Sequence, residues 1–443
     1  MYTTIFRPIT FASNLYFLFI LWQLKMLFSI LLYFHSYVRA LFTIVHIYFL
    51  GVYYLFYEFF VDCRSGIKMT TRKSLLNDRI KNWSRNLKQM RKDQIYQSAD
   101  VNQDSSELVA VITGADGTIG SEILKYLLAM DFIVFAIGLY PLDRQFQHQR
   151  NLHFIKCDLG NIDEVFSAIE NVQLSIDRID LLILNAAMFL SPKIGWLPYR
   201  RNLIGAQIIE RHLAVNVLAN AQLFASLSQR LEQSVLQNGK AIFVSSCSAR
   251  AGDLSLLLRS EEDNLSSERF WCRHLNGYKS YADSKLLLTA YVQYLNKVLR
   301  YRDSRIMVAS VHPGVVPGRF YRNVFWPFRC VINRILAPFM RTPLHAATHI
   351  LDVACSLHLN STPNNNVYYE NGVPSNINSL QNQENVWLYG RCVREMIVDN
   401  DEVSSLGSIA KNDDLDETSR QKQIDKSSAE FFERLLSEAT GDI

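Results

Sequence analysis

Residues 112–120 read ITGADGTIG and follow the apolar run Leu108-Val109-Ala110-Val111. Glycines stand at 114, 117 and 120. An apolar strand that runs into a glycine-rich turn and then a helix suits pyrophosphate binding, because small residues let the backbone approach a ligand and the helix N-terminus offers unpaired N–H groups. The loop alone is a weak signal, and its weight comes from the chain around it.

Downstream, strands are expected at 108–113, 132–137, 152–155 and 179–184, with helices at 118–130 and 162–169 between them. A helix over 206–230, a strand over 241–245, a helix over 280–299 and a strand over 305–311 continue the rhythm. Such alternation predicts an α/β fold, a doubly wound parallel sheet of Rossmann type with both faces covered by helices. Its domain is expected to span 108–375. Residues 376–443, with the acidic run at 412–417, read as a polar and largely disordered tail.

Upstream the composition changes. Of the 443 residues, 49% are apolar, and residues 11–61 carry only three charged side chains, Lys25, Arg39 and Glu58. Residues 40–60 would be about 31 Å long as a helix, the thickness of a bilayer's hydrocarbon core. A membrane anchor of one or two helices is therefore expected over 1–63, the earlier stretch being 11–34. Residues 64–92 hold ten Lys or Arg and one acid, Asp78. That bias places the rest of the chain in the cytosol. Leu76, Ile80, Trp83, Leu87 and Met90 form one face of a basic amphipathic helix, which either lies on anionic headgroups or docks on the domain. The polar stretch 93–107 reads as a linker. The seven cysteines show no CxxC pairing and fit a reducing compartment.

Four features follow the glycine loop in order. Asn185-Ala186-Ala187 closes one strand, Asn216 stands inside an apolar helix, and Ser246 in VSSCS closes another strand. The fourth is Tyr281-Ala282-Asp283-Ser284-Lys285, where one helical turn puts a phenol and an ammonium on the same face. An ammonium beside a phenol stabilises the phenolate, which makes Tyr281 a proton donor and acceptor for an alcohol or carbonyl. The hydroxyl of Ser246 can hold the substrate oxygen, and a hydride must come from nicotinamide.

Over 108–375 these residues resemble the short-chain dehydrogenase/reductase family, and most closely its retinol-dehydrogenase-like members. The resemblance implies a catalytic tetrad of Asn216, Ser246, Tyr281 and Lys285, with Asn216 holding a water and Lys285 also binding the nicotinamide ribose. It implies cofactor contacts from Gly114, Gly117, Thr118, Ile119, Gly120, Asp158, Leu159, Asn185, Tyr281 and Lys285, and from Pro313, Gly314 and Val316 in VHPGVV. No metal is implied. The function implied is NAD(P)-dependent interconversion of a lipophilic alcohol and its carbonyl, of the retinoid, sterol or polyisoprenoid class.

The sequence also departs from that family. Thr118 stands where the family's second loop glycine is usual, Ala187 replaces a glycine, and Pro317-Gly318 stands where a carboxamide-binding Thr is common. These changes leave open a catalytically silent Rossmann module that serves as a membrane scaffold. The second strand ends Ile137-Gly138-Leu139-Tyr140 with no acid or Arg, and Arg144 a little later inclines the choice weakly to NADP(H) over NAD(H). Residues 317–343 mix five arginines with aromatic residues and resemble a substrate lid, expected at the membrane surface. The expected partners are a lipophilic small molecule and the membrane, with a homodimer left open and no nucleic acid. The expected location is the endoplasmic reticulum facing the cytosol, with the lipid droplet as alternative.

Overall fold

The computed structural model describes residues 38, 42, 45–63, 78, 85, 107–190, 196–200, 206–236, 238–255, 277–318, 321–322, 326–356 and 367–397. The expected span at 11–34, the linker and the acidic run lie outside these residues, as does the basic helix apart from residues 78 and 85.

Strand β1 (Val109–Thr113) leads through the glycine loop into α2 (Thr118–Ala129), after the helix α1 at 45–63. Then come β2 (Ile133–Gly138), β3 (Leu152–Lys156), α3 (Ile162–Ser175) and β4 (Leu181–Leu184). A hairpin of β5 (Trp196–Arg200) and β6 (Ala206–Glu210) stands apart, before α4 (Ala219–Glu232) and β7 (Lys240–Val244). The long helix α5 (Gly277–Tyr301), β8 (Met307–His312), α6 (Trp326–Val331), α7 (Pro343–Ser356), β9 (Tyr368–Glu370), β10 (Val373–Pro374) and α8 (Gln383–Met396) complete the order.

Eight strands form one sheet in the order β10-β9-β8-β7-β4-β1-β2-β3, parallel except for β10. The Rossmann-like architecture expected from the alternation is present. Its strands are buried on both faces: Val109 and Val111 enter one apolar core while Ala110 and Ile112 enter the other. Period-2 alternation explains the split, and burial on both faces explains the near-continuous apolar runs. The chain runs outward from β1 to β3 and then returns to β4 on the far side of β1. This reversal opens a crevice at the strands' carboxyl ends.

Three expectations change. The helix read over 206–230 begins later, because Ala206–Glu210 pairs with β5, and a π-helical turn at Leu213–Leu218 leads into α4. The Glu210 carboxylate accepts the Leu213 N–H at 3.0 Å, which marks the helix start. Second, the chain after 375 still belongs to the core: Val386, Tyr389 and Val393 of α8 are buried against α5.

The third change concerns the anchor. Among the described residues no helix is long and apolar enough to cross a membrane. Helix α1 instead lays one face on the domain, with Leu55 at 1% and Glu58 at 2% exposure, while Phe49 and Phe60 on the other face are 70% and 64% exposed. Tyr54 Oη reaches Glu370 of β9, and Tyr48 Oη meets Tyr278 Oη at 2.8 Å. These polar groups tie the inner face of the helix to the domain.

Candidate active site

Four strands deliver the site. Gly114 follows β1, Asn185 follows β4, Ser246 follows β7, and His312 ends β8. Gly114 adopts φ +64°, and a Cβ there would stand 2.9 Å from Ala186 Cα, so only glycine lets the turn lie this close to the end of β4. Asn185 Nδ2 donates to the carbonyls of Thr113 and Gly114 at 3.1 and 3.2 Å, and the Ala186 N–H donates to Thr113 Oγ1. Asn185-Ala186 therefore staples the loop. Gly117 is the N-cap of α2 with no side-chain cap, which leaves the helix's first N–H groups for a ligand.

A cavity of about 420 Å³ extends from this loop across the strand ends, in the range of small-molecule sites. Gly114, Gly117, Thr118, Ile119, Asp158, Leu159 and Asn185 line it, as do Ser246, Tyr281, Lys285, Pro313, Gly314 and Val316. Two expected site residues lie behind its wall. Gly120 is buried under the glycine loop. Asn216, in the π-helical turn, is fully buried; its Oδ1 accepts the Met188 N–H at 2.8 Å and its Nδ2 donates to Ser284 Oγ at 3.0 Å.

Tyr281 and Lys285 face the cavity from α5. Burial pushes the Tyr281 phenol above its ordinary value, while hydrogen bonds with Ser246 and Ser248 pull it back toward ionisation. The Ser246 and Ser248 hydroxyls thus lie within bonding reach of the phenol. The Lys285 Nζ donates to Val244 O at 2.7 Å, and burial draws its pKa down to about 7. The expected ammonium is thus held between strand β7 and the cleft, and its charge is easily lost without a ligand.

Beyond Tyr281 the chamber turns apolar. Phe189 meets the rings of Tyr278 and Tyr281 at 4.9 and 5.2 Å. Leu55 of α1 and Ile332 and Met340 of the lid close the same cluster. Among the lid's arginines, Arg341 is buried and bonds Asp62 of α1 at 3.2 Å, whereas Arg322, Arg329 and Arg334 are exposed.

Sequence reading missed several of these groups. Tyr48, Leu55 and Glu58 come from the segment read as an anchor, and the lone acid Glu58 in an apolar run was the available signal. Asp116 was missed as well: its Oδ2 accepts the Tyr140 N–H at 3.1 Å, so the loop itself places a carboxylate at the end of β2. Arg144 sits on an exposed turn and is not among the described residues lining the cavity.

The family model of the short chain dehydrogenases matches residues 108–256. Over that segment the chain is of short-chain dehydrogenase type. With that segment the chain is an oxidoreductase, and it is similar to the human polyprenol dehydrogenase, at 23% identity over 272 residues covering 59% of this chain and 77% of that protein. The WW domain-containing oxidoreductase of Drosophila melanogaster is 27% identical over 275 residues, covering 59% of this chain and 61% of that one. The solved Pseudomonas aeruginosa RhlG/NADP active-site complex has a TM-score of 0.41 and 18% identity, covering 56% of this chain and 89% of that chain. Thr118 and Gly318 touch: a Cβ on Gly318 would stand 2.7 Å from Thr118 Oγ1.

Proposed function

We propose that this short-chain dehydrogenase uses NAD(P)(H) to interconvert a lipophilic alcohol and its carbonyl, of the polyisoprenoid class, at a membrane surface. The observation that carries the reading is the change of wall along one cavity: backbone N–H groups and glycines at the β1 end, the Ser246–Tyr281 hydroxyls in the middle, and an aromatic chamber beyond them. A cleft with an uncapped helix N-terminus and a glycine turn fits a dinucleotide's phosphates. When bound, the nicotinamide accepts or gives the hydride.

The chain's own residues handle the proton. In the oxidising direction the Ser246 hydroxyl holds the substrate oxygen, and the Tyr281 oxygen takes the hydroxyl proton as the carbonyl forms. In the reducing direction Tyr281 returns that proton to the carbonyl oxygen. Lys285 would donate to the ribose of a bound cofactor, and its protonated form favours the phenolate of Tyr281. Asn216 holds the backbone of Met188 and the hydroxyl of Ser284, and so fixes the wall on which these groups act.

The polyisoprenoid class is supported by the aromatic chamber and by the names of the related polyprenol dehydrogenases. The choice between NAD and NADP falls at the end of β2, where Asp116 stands. Membrane association is supported by the exposed apolar face of α1, Phe49, Val52, Phe56 and Phe60, next to exposed Ile335 and Phe339 of the lid. Ring contacts of Phe56 and Phe59 with Phe339 make the two segments one surface. We read this as a helix lying in the interface, in the endoplasmic reticulum or on lipid droplets, with the domain in the cytosol.

The test is turnover by the full chain in liposomes containing a polyprenol, with NAD⁺ or NADP⁺ and detection of the polyprenal. Formation of the aldehyde with stoichiometric reduced cofactor is expected. Binding of neither cofactor would sink the reading in favour of a silent scaffold.

A further inference from the structure

We propose that Glu58 is a positioning residue for the reaction centre: from α1 it holds the turn after β8, which makes this N-terminal helix a working wall of the cleft and not a separable anchor. The inference rests on the oxidoreductase reading above and deepens it.

Glu58 lies 254 residues before His312 in the chain, and both side chains are 2% exposed. Its Oε1 accepts from His312 Nε2 at 2.9 Å, and its Oε2 accepts the Val315 N–H at 2.9 Å. The other ring nitrogen of His312, Nδ1, accepts the Cys247 N–H at 3.1 Å. Because Nδ1 accepts, Nε2 carries the proton and donates to the carboxylate, which fixes the tautomer and the ring plane. One carboxylate thus restrains two places in the cleft. It holds the Pro313-Gly314-Val315 turn directly, and through His312 it holds the backbone of Cys247, the neighbour of Ser246.

The turn is held from two sides, by Glu58 and by the Arg341 N–H, which donates to Val315 O at 3.0 Å. Gly314 adopts φ +103°, and a Cβ there would meet Arg341 Cδ at 2.4 Å and Glu58 Oε2 at 3.0 Å, so the turn is pressed flat against the buried ion group. Arg341 Nε stands 3.7 Å from Glu58 Oε2 and bonds Asp62 on the next turn of α1. A carboxylate so deep is costly unless its oxygens are bonded. Burial would raise the Glu58 pKa, but the N–H bonds from His312 and Val315 and the charge of Arg341 outweigh it and hold the group ionised. A helix needed only for membrane attachment requires no such group on its inner face; hydrophobic packing would suffice.

Three variants of the full chain in detergent micelles test this. Glu58→Ala removes both acceptors, Glu58→Gln keeps the shape and one acceptor, and Tyr54→Phe cuts the separate tie of α1 to Glu370 without touching the turn. Hydrogen exchange of peptides covering 312–318 is expected to be about tenfold faster in Glu58→Ala, intermediate in Glu58→Gln and unchanged in Tyr54→Phe. NADPH, titrated by its own fluorescence, is expected to bind about tenfold more weakly to Glu58→Ala and to lose the emission shift of a held nicotinamide. A residue that merely fastens the helix would lower thermal stability in all three and leave the bound emission as in wild type. If Glu58→Ala does not fold, Glu58→Gln decides. Wild-type exchange over 312–318 and wild-type NADPH emission in the Glu58 variants would overturn the proposal. Failure of wild type to bind any cofactor would overturn the oxidoreductase reading, and the exchange measurement would still decide the role of Glu58.

Discussion

Thr118 and Gly318 face each other across the cleft: a Cβ built on Gly318 would stand 2.7 Å from Thr118 Oγ1 and 3.2 Å from its methyl carbon. The side chain that one wall lacks is supplied by the other. Gly318→Thr alone is therefore expected to force the walls apart and to weaken NAD(P)H binding about tenfold. Thr118→Gly alone opens space at the helix start and costs roughly a few tenths of a kcal/mol in stability. The double variant should recover cofactor affinity lost by Gly318→Thr. Independent, additive effects in a double-mutant cycle of cofactor affinities would contradict the contact.

Asp116 Oδ1 stands 2.6 Å from where a Cβ on Gly138 would lie, so its charge sits at the end of β2, where a cofactor's ribose is read. A carboxylate there accepts a 2′-hydroxyl and repels a 2′-phosphate. Asp116→Ser should raise the affinity ratio of NADPH to NADH about tenfold. Fluorescence titration with both cofactors checks it, and an unchanged ratio would remove Asp116 from cofactor choice.

Lys285 has 1% exposure, and burial draws its pKa from the ordinary 10.5 down to about 7. Between these values the unfolded chain keeps a proton that the folded chain has released. Stability of the ligand-free protein should therefore rise with pH across that window, by at most about 1.4 kcal/mol per pH unit. Urea midpoints at neutral and alkaline pH should separate in wild type and draw together in Lys285→Met. Equal separation in both would assign the slope to other groups.

Gly390 of α8 lies on the ring of Tyr294, where an added Cβ would stand 2.1 Å from Cγ. Gly390→Ala is expected to cost about 1–3 kcal/mol, read as a lower thermal midpoint. A chain ended at residue 375 should lose α8, expose α5 and aggregate; a soluble, cofactor-binding fragment of that length would contradict the packing.

Local signals carried much of this architecture. Strand runs such as Val109–Thr113, the glycine turn and the one-turn spacing of Tyr281 and Lys285 each depend on neighbours within a few residues, and all three stand where the sequence put them. The failures share a physical cause. The hydropathy of residues 40–60 is equally compatible with a bilayer and with a protein surface, and the contact that ties 45–63 to the domain runs through Glu58, whose partners lie at 312, 315 and 341. Asp116 was invisible for the same reason, because nothing near it in sequence says that the loop folds it onto β2. The helix at 383–396 was hidden by polar flanks, since Val386, Tyr389 and Val393 form a narrow stripe with meaning only against α5.

The most direct measurement is single-turnover oxidation of bound NAD(P)H by a polyprenal in mixed micelles, for wild type and Tyr281→Phe side by side. Wild type should consume the cofactor and release the alcohol, and Tyr281→Phe should still bind cofactor yet turn over about 10²–10⁴-fold more slowly. A Tyr281→Phe chain that reduces the aldehyde at the wild-type rate would contradict proton transfer by Tyr281 and with it the active site assigned to this cleft.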